Sequence, residues 1–314
     1  MKIVILDGDS ISPGIWKNDR FDEFGEVTAY GRTPDEVAAA RIGDAELAVT
    51  DGTKIGRETL DRCTNLKWIG VLATGYDNVD VKYAREKGIA VCNSPGYATQ
   101  SVAQHSFALL FHLCHHLSTY SEEVLAGMWS TSFWSYPIIE LKGKTMGIFG
   151  FGDIARTSAK IAEALGLNVL ISTGHPDCSL ETPAVRFAEK DEVFEEADII
   201  NLHCPLREDN AGFINRDSIA KMKDGVILIN TARGALINET DLAEALKSGK
   251  VAGAGLDVLA AEPAVSGNPL VGLKNCIITP HIGWNSKEAR DRVLEITVNN
   301  LRAFLKGKLL NCVN

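Results

Sequence analysis

The sequence lacks most of what would tie it to a membrane, a metal or a nucleic acid. No stretch approaches the roughly 18 uninterrupted apolar residues of a membrane-spanning helix. The opening, MKIVILDGDS, runs one lysine into a short strand-like segment, much shorter than the apolar core of a secretory signal. The expected compartment is therefore the cytoplasm. Basic residues are outnumbered, 32 against 41 acidic, and the net charge of −9 comes with no long basic run. Nothing is available to neutralise a phosphate backbone, so nucleic acid is not an expected partner. The seven cysteines are odd in number and scattered, with no CxxC pair, which argues against a disulfide framework or a zinc ribbon. They are expected to be reduced small hydrophobes. Internal repeats and low-complexity segments are also missing.

What is present is a globular composition, 314 residues with 45% apolar, long enough for two domains. Short β-branched runs alternate with helical stretches throughout, the pattern of βα units and parallel sheets. The first third carries KIVIL (Lys2 to Leu6), ELAVT (Glu46 to Thr50), LKWIGV (Leu66 to Val71) and GIAVC (Gly88 to Cys92). The cluster NSPGYATQ (Asn93 to Gln100) breaks the series, and a long helical run is expected from Ser101 to about Gly127. Its richness in Leu, Ala and aromatics exceeds what one exposed helix tolerates, which points to a homodimer interface. A second series follows: TMGIFG, NVLIS, ADIINLH, GVILIN, VAGAGLDV and NCIITPH. Six such strands spaced by helices are what a doubly wound dinucleotide-binding sheet requires. The closing helix, about Ser286 to Lys306, is too long for a connector and is expected to return to the first domain. The expected division is residues 1–98 with 286–314 as a discontinuous substrate domain, and 99–285 as the dinucleotide-binding domain.

The strongest local signal is KTMGIFGFGDIAR, an apolar strand feeding Gly150, Gly152, Asp153, Ile154 and a helix-period run to Leu165. Glycines there allow a tight turn and close approach of a pyrophosphate to the positive end of the following helix. About 20 residues on, a carboxylate normally holds the ribose 2′-hydroxyl of NAD. Here that position is Thr173, followed by Gly174 and His175. Without the carboxylate a 2′-phosphate meets no repulsion, and a protonated His175 would attract it. NAD and NADP both stand as cofactors at this point.

Three later segments each place one ionisable side chain just past a strand: Arg233 in NTARG, Glu262 in LAAEP and His281 in TPHIG. Strand ends of an open α/β sheet border one crevice, so residues distant in sequence can converge there. The ordered set GFGDIA, NTARG, AGLDV followed by AEP, and PHIG, together with ATGYDNVD at Ala73 to Asp80, resembles the D-isomer-specific 2-hydroxyacid dehydrogenase family over essentially the whole chain. The resemblance implies a Rossmann domain beside a smaller flavodoxin-like one, and hydride transfer between NAD(P)H and a 2-keto acid. It also implies catalytic roles for Arg233, Glu262 and His281. The chemistry suits those residue types. A carbonyl oxygen gathering negative charge needs a proton donor, and His281 has an ordinary pKa of about 6.5. Glu262 would favour the imidazolium and orient it. Arg233 offers a planar fork for the substrate carboxylate.

By the same resemblance, backbone amides near Thr74 and Gly75 hold the substrate carboxylate. Asp257 takes a nicotinamide-side role, while Val102, Cys204, Thr231, Ala232 and Gly283 lie along the cofactor with His281. The family's usual acid after Val102 and Ala103 is here Gln104, which receives no role. His105, His112, His115, His116 and His203 read as structural or surface residues. The FWSYPIIELKGKT and ATGYDNVD segments resemble the glycerate dehydrogenase or hydroxypyruvate reductase branch more than the D-lactate branch. The expected substrate is therefore hydroxypyruvate or glyoxylate, with pyruvate as the alternative. Trp284 is expected to line the pocket, and Phe133, Trp134 and Tyr136 to reach either it or a partner subunit. Two other readings remain open: a non-catalytic NAD(H)-sensing protein on the same fold, although no added partner-binding segment is evident, and a formate dehydrogenase, which would carry Gln at position 262.

Overall fold

The alternating runs build two parallel sheets. The computed structural model describes residues 1–10, 20–129 and 136–314; Phe133 and Trp134 lie outside them. It divides into two compact units, Met1–Ala98 with Asn285–Asn314, and Thr99–Trp284. Among the described residues no helix is long and apolar enough to cross a membrane.

The first unit contains β1 (Lys2–Ile5), β2 (Glu26–Ala29), α1 (Ala38–Ile42), β3 (Leu47–Thr50), α2 (Arg57–Arg62), β4 (Trp68–Val71), α3 (Val81–Glu86) and β5 (Ala90–Cys92). All neighbouring strands run parallel in the order β2-β1-β3-β4-β5, the flavodoxin-like winding. β3 and β4 are buried at every position, as a sheet covered on both faces demands. Strand β2 was not expected from the sequence. Its EVTA lies on the sheet edge with no residue fully buried, so it carries no apolar run.

The second unit contains α4 (Thr99–His115), α5 (Leu117–Leu125), β6 (Thr145–Phe149), α6 (Asp153–Ala164), β7 (Asn168–Ser172), β8 (Val185–Phe187), α7 (Lys190–Glu196), β9 (Ile199–Leu202), α8 (Arg216–Lys221), β10 (Val226–Asn230), α9 (Glu239–Ser248), β11 (Val251–Leu256) and β12 (Cys276–Ile278). Its seven parallel strands are ordered β12-β11-β10-β9-β6-β7-β8, the Rossmann winding with its reversal between β6 and β9. The sequence showed six of these; three-residue β8, another edge strand, is the addition. The helical run expected over 101–127 is two helices, because His116 adopts a left-handed backbone, φ 50°, between α4 and α5. Much of the apolar content of α4 is used inside this unit. Leu109 and Leu113 lie on β11, where Gly253 and Gly255 leave them room: a Cβ at Gly255 would stand 2.8 Å from that of Leu109.

The last helix, α10 (Lys287–Leu305), belongs to the first unit and is capped by Ser286, whose Oγ accepts from the Ala289 amide. It packs on β4 beside Gly70, where a Cβ would meet the Thr297 methyl at 3.0 Å.

Candidate active site

Three strand-end segments of the second unit are held together by short-range constraints. After β10, fully buried Asn230 shapes the turn. Its Oδ1 accepts from the Ala232 amide at 2.9 Å, and its Nδ2 donates to the Arg233 carbonyl at 2.9 Å. The next residue, Gly234, leaves no space: a Cβ there would fall 1.9 Å from the Leu259 carbonyl carbon. The turn bearing Arg233 is therefore pressed against the loop that bears Glu262. Arg233 Nη1 donates to the Ala232 carbonyl at 2.9 Å.

After β11, Glu262 Oε1 accepts from the Leu259 amide at 3.0 Å, while its Oε2 lies 2.8 Å from Nδ1 of His281. His281 follows β12 in a left-handed backbone conformation, φ 53°, uncommon for a residue with a side chain and stable only where neighbours hold it. Asp257 is a large part of that hold. It is 2% exposed. Its Oδ1 accepts from the Thr279 hydroxyl at 2.6 Å and the Ile282 amide at 2.9 Å, and its Oδ2 from the Gly283 amide at 2.8 Å. The His281 amide donates to the Asp257 carbonyl at 2.8 Å. Helix α4 holds the same loop from the other side. Ser101 Oγ donates to the Gly283 carbonyl at 2.6 Å, and His105 Nε2 lies 2.9 Å from the Thr279 hydroxyl and 3.2 Å from Asp257 Oδ1.

The electrostatics follow from these contacts. The hydrogen bond that His281 Nδ1 donates to Glu262 raises the pKa of His281 above its ordinary value; burial and the Arg233 charge oppose this, while the charges of Glu262 and Asp257 add to it. Burial pushes Glu262 upward, yet the His281 hydrogen bond and charge, with the Leu259 amide, bring it below the usual carboxylate value. Burial likewise pushes Asp257 up, but donation from His105, Thr279, Ile282 and Gly283 leaves it lowered. These contacts shift His281 toward its protonated form and Glu262 and Asp257 toward their ionised forms, with the Arg233 charge acting against the histidine's protonation.

The glycine turn after β6 fits a dinucleotide phosphate. Gly150 (φ 94°) passes so close to the end of β9 that a Cβ would lie 2.7 Å from the His203 carbonyl oxygen and 2.9 Å from Cys204 Cα. Gly152 faces open space and begins α6 with no side-chain cap, so the first amides of that helix remain available to an anion. Asp153 is exposed and Ile154 half-buried in that first turn. After β10, Thr231 Oγ1 is buried with no partner, an orphaned hydroxyl of the kind a bound ligand satisfies. Ala232 and Cys204 are half-buried, and Val102 and Gly283 are buried. Thr173 is half-buried and its hydroxyl accepts weakly from the amide of exposed His175 at 3.4 Å. Trp284, half-buried, ends this unit.

Thr74 and Gly75 belong to the first unit, in the loop after β4. There the Thr74 hydroxyl donates to the Ser94 carbonyl at 3.2 Å, and the Thr74 carbonyl accepts from Asn93 Nδ2 at 2.8 Å. Sequence reasoning missed Asn230, Thr279 and Ser101, and read His105 only as a structural or surface residue. The spacing of Ser101 and His105, four residues apart on one helix face, was the available signal.

A family model described as D-isomer specific 2-hydroxyacid dehydrogenase, NAD binding domain, matches residues 107–283. The chain belongs to that family. Among curated relatives of this dehydrogenase chain, a hydroxypyruvate reductase from Blautia hydrogenotrophica is 49% identical with both chains fully covered. A glycerate dehydrogenase from Methylorubrum extorquens is 37% identical over 99% of this chain and 98% of its own. Among solved structures, an acyclic imino acid reductase in complex with NADPH and D-Arg superimposes with a TM-score of 0.89 at 31% identity, both chains fully covered. Within the dehydrogenase fold, residues 107–283 take in the glycine turn, Arg233, Glu262 and His281.

Proposed function

We propose that this dehydrogenase reduces a small 2-keto acid, hydroxypyruvate or glyoxylate, to the D-2-hydroxy acid with NADH or NADPH. The observation that carries the reading is the 2.8 Å contact between His281 and Glu262, with Arg233 held against the same loop by Gly234. The full-length likeness to a hydroxypyruvate reductase and a glycerate dehydrogenase favours hydroxypyruvate over pyruvate. A bound reduced nicotinamide supplies the hydride to the carbonyl carbon.

The chain's own residues do the rest. Glu262 accepts from Nδ1–H of His281, so Nε2 is the nitrogen that gives its proton to the forming alkoxide. Asp257, Ser101 and His105 hold the loop in which that ring sits, and Arg233 pairs with the substrate carboxylate and the polarised oxygen. Trp284, at the end of the same unit, is assigned to the pocket wall, and in the other unit the Thr74 and Gly75 amides are assigned to the carboxylate. Gly150, Gly152, Asp153, Ile154 and Cys204 are assigned to the cofactor phosphates and neighbouring cofactor atoms, Thr173 and His175 to the ribose end, and Val102, Thr231, Ala232 and Gly283 to the remainder.

The proposed assembly is a cytoplasmic homodimer. Leu117, Val124, Leu125, Met128 and Trp129 expose an apolar set on and just after α5, with Leu125 85% exposed, and a second copy covers them in this reading. The test is absorbance loss of NADH and NADPH with hydroxypyruvate, glyoxylate and pyruvate. Turnover with one of the first two, abolished by His281→Ala, is expected. Consumption with none of the three would favour a sensor, and pyruvate as the best substrate would move the chain to the lactate branch.

A further inference from the structure

The first unit places two cysteines in a setting that no catalytic role uses. Cys92 ends β5, and Cys312 lies opposite it in an antiparallel bridge formed by segment 311–314. The register is defined by its flanking bonds. The Asn93 amide donates to the Asn311 carbonyl at 3.1 Å, and the Val313 amide to the Val91 carbonyl at 2.9 Å. Cys92 and Cys312 exchange no backbone bonds themselves, so they form the non-hydrogen-bonded kind of pair. In such pairs the Cα atoms stand about 4.5 Å apart and the side chains are closest, within the roughly 4.4–6.8 Å that a disulfide spans.

The surroundings are graded for a two-step oxidation. Cys312 is half-exposed, with its thiol donating to Asn314 Oδ1 at 3.3 Å, whereas Cys92 is fully buried. Burial pushes the Cys92 thiol up to about 11; the Trp68 indole acts the other way, and the Cys312 thiol adds to the rise. The Trp68 Nε1 atom is itself buried with no hydrogen-bond partner. The segment is otherwise held by Val313, which packs against the apolar core of this unit, and by hydrogen bonds. Asn314 Oδ1 accepts from the Val91 amide at 2.9 Å, Asn314 Nδ2 donates to the Ile89 carbonyl at 2.7 Å, and Asn311 Nδ2 donates to Asn300 Oδ1 at 2.9 Å.

We propose that Cys92 and Cys312 form a reversible disulfide when the protein meets a hydroperoxide, clamping segment 311–314 onto β5. In the first step Cys312 sulfur attacks the peroxide: an S–O bond forms, the O–O bond breaks, and the departing oxygen takes the thiol proton and leaves as water from hydrogen peroxide or as an alcohol from an organic hydroperoxide, giving a sulfenic acid. In the second step Cys92 sulfur attacks Cys312 sulfur: the S–S bond forms, the S–O bond breaks, and the Cys92 proton departs with the hydroxyl as water. Two thiols are oxidised and one peroxide is reduced. The clamp reaches the loop after β4, because Asn93, next to Cys92, holds the Thr74 carbonyl. Formation of the bond does not depend on the proposed substrate.

The test treats the intact protein with hydrogen peroxide and maps peptides without reduction. Free thiols are expected to fall by two from seven, with one peptide pair joined through Cys92 and Cys312, restored by dithiothreitol. Cys312→Ser and Cys92→Ser should each abolish the joined pair, while Cys178→Ser, at an exposed cysteine, should leave it intact. The oxidised parent should also melt several degrees above its reduced form, a gain that Cys312→Ser lacks. Accumulation of a sulfinic acid at Cys312 with Cys92 still free would overturn the proposal. So would a crosslink running only through Cys178.

Discussion

Replacing Gly234 with alanine tests the packing that brings Arg233 and Glu262 together. The added carbon would fall 1.9 Å from the Leu259 carbonyl carbon, about 1.6 Å short of the closest comfortable separation of two carbons, roughly 3.5 Å. The nearest atoms, the Leu259 carbonyl carbon and oxygen and the Ala260 nitrogen, are all backbone rather than flexible side-chain ends, so the turn and the loop must part by something like that distance. Misplacing a catalytic group by about 1 Å costs on the order of 10²-fold, so kcat/KM for the keto acid is expected to drop at least about 100-fold, near 3 kcal/mol of barrier. Overpacking of this kind costs about 1–3 kcal/mol of stability, which lowers Tm without unfolding a domain of ordinary stability, about 5–15 kcal/mol. The assay is steady-state consumption of reduced cofactor with hydroxypyruvate, alongside a thermal melt and cofactor binding by fluorescence. Cofactor binding should weaken less than kcat/KM, because the glycine turn after β6 is untouched while Thr231 and Ala232 sit on the displaced turn. The control is Gly152→Ala. A Cβ there meets no protein atom within 4 Å, so Tm should stay while the KM for the dinucleotide rises. If Gly234→Ala keeps both kcat/KM and Tm near the parent values, the two loops are not pressed together and the account of the site is wrong.

Three further outcomes are expected. His281 titrates above its ordinary value because of Glu262, so the proton donor persists past pH 6.5 and keto-acid reduction falls only as pH rises through that raised value; in Glu262→Gln the falling limb should move to lower pH. The pair's contribution to stability is complete below about 6.5 and is lost as pH rises through the folded value, while at the acid end it disappears as pH falls through the lowered value of Glu262. With side chains 42% and 38% exposed, solvent screening keeps the difference between parent and Glu262→Gln under about 1 kcal/mol in urea melts; a gap that widens toward pH 9 would contradict this sign. His105→Ala, which removes a partner of Asp257 and Thr279, should lower kcat about tenfold with cofactor KM nearly constant, and equal losses in both would show a general structural defect instead. Thr173→Asp should weaken NADPH relative to NADH by at least about tenfold, roughly 1.4 kcal/mol, and no change would remove residues 173–175 from the ribose end.

Much of this was legible because buried parallel strands are continuous apolar runs and because the reactive side chains follow such strands directly. Edge strands β2 and β8 escaped since neither is enclosed on both faces, so nothing requires an apolar run there. The break at His116 was invisible for another reason: a single left-handed residue leaves the hydrophobic spacing on either side intact. Asp257 was noticed, but its use was not. Its carboxylate gathers donors from Thr279, Ile282 and Gly283, and through His105 from a helix more than 150 positions earlier in the chain, and no local spacing encodes that meeting. Asn230 was hidden inside NTARG, where the neighbouring arginine drew attention, although an asparagine at a strand end is a natural turn-shaping residue.

Arg233, Glu262, His281 and the aspartate post beneath them all sit on one unit, Thr99–Trp284, and are assembled by contacts internal to it. Acid–base equipment built this way is portable. Because these contacts are internal to Thr99–Trp284, substitutions in the other unit leave them, and the ionisation of the histidine that they set, in place.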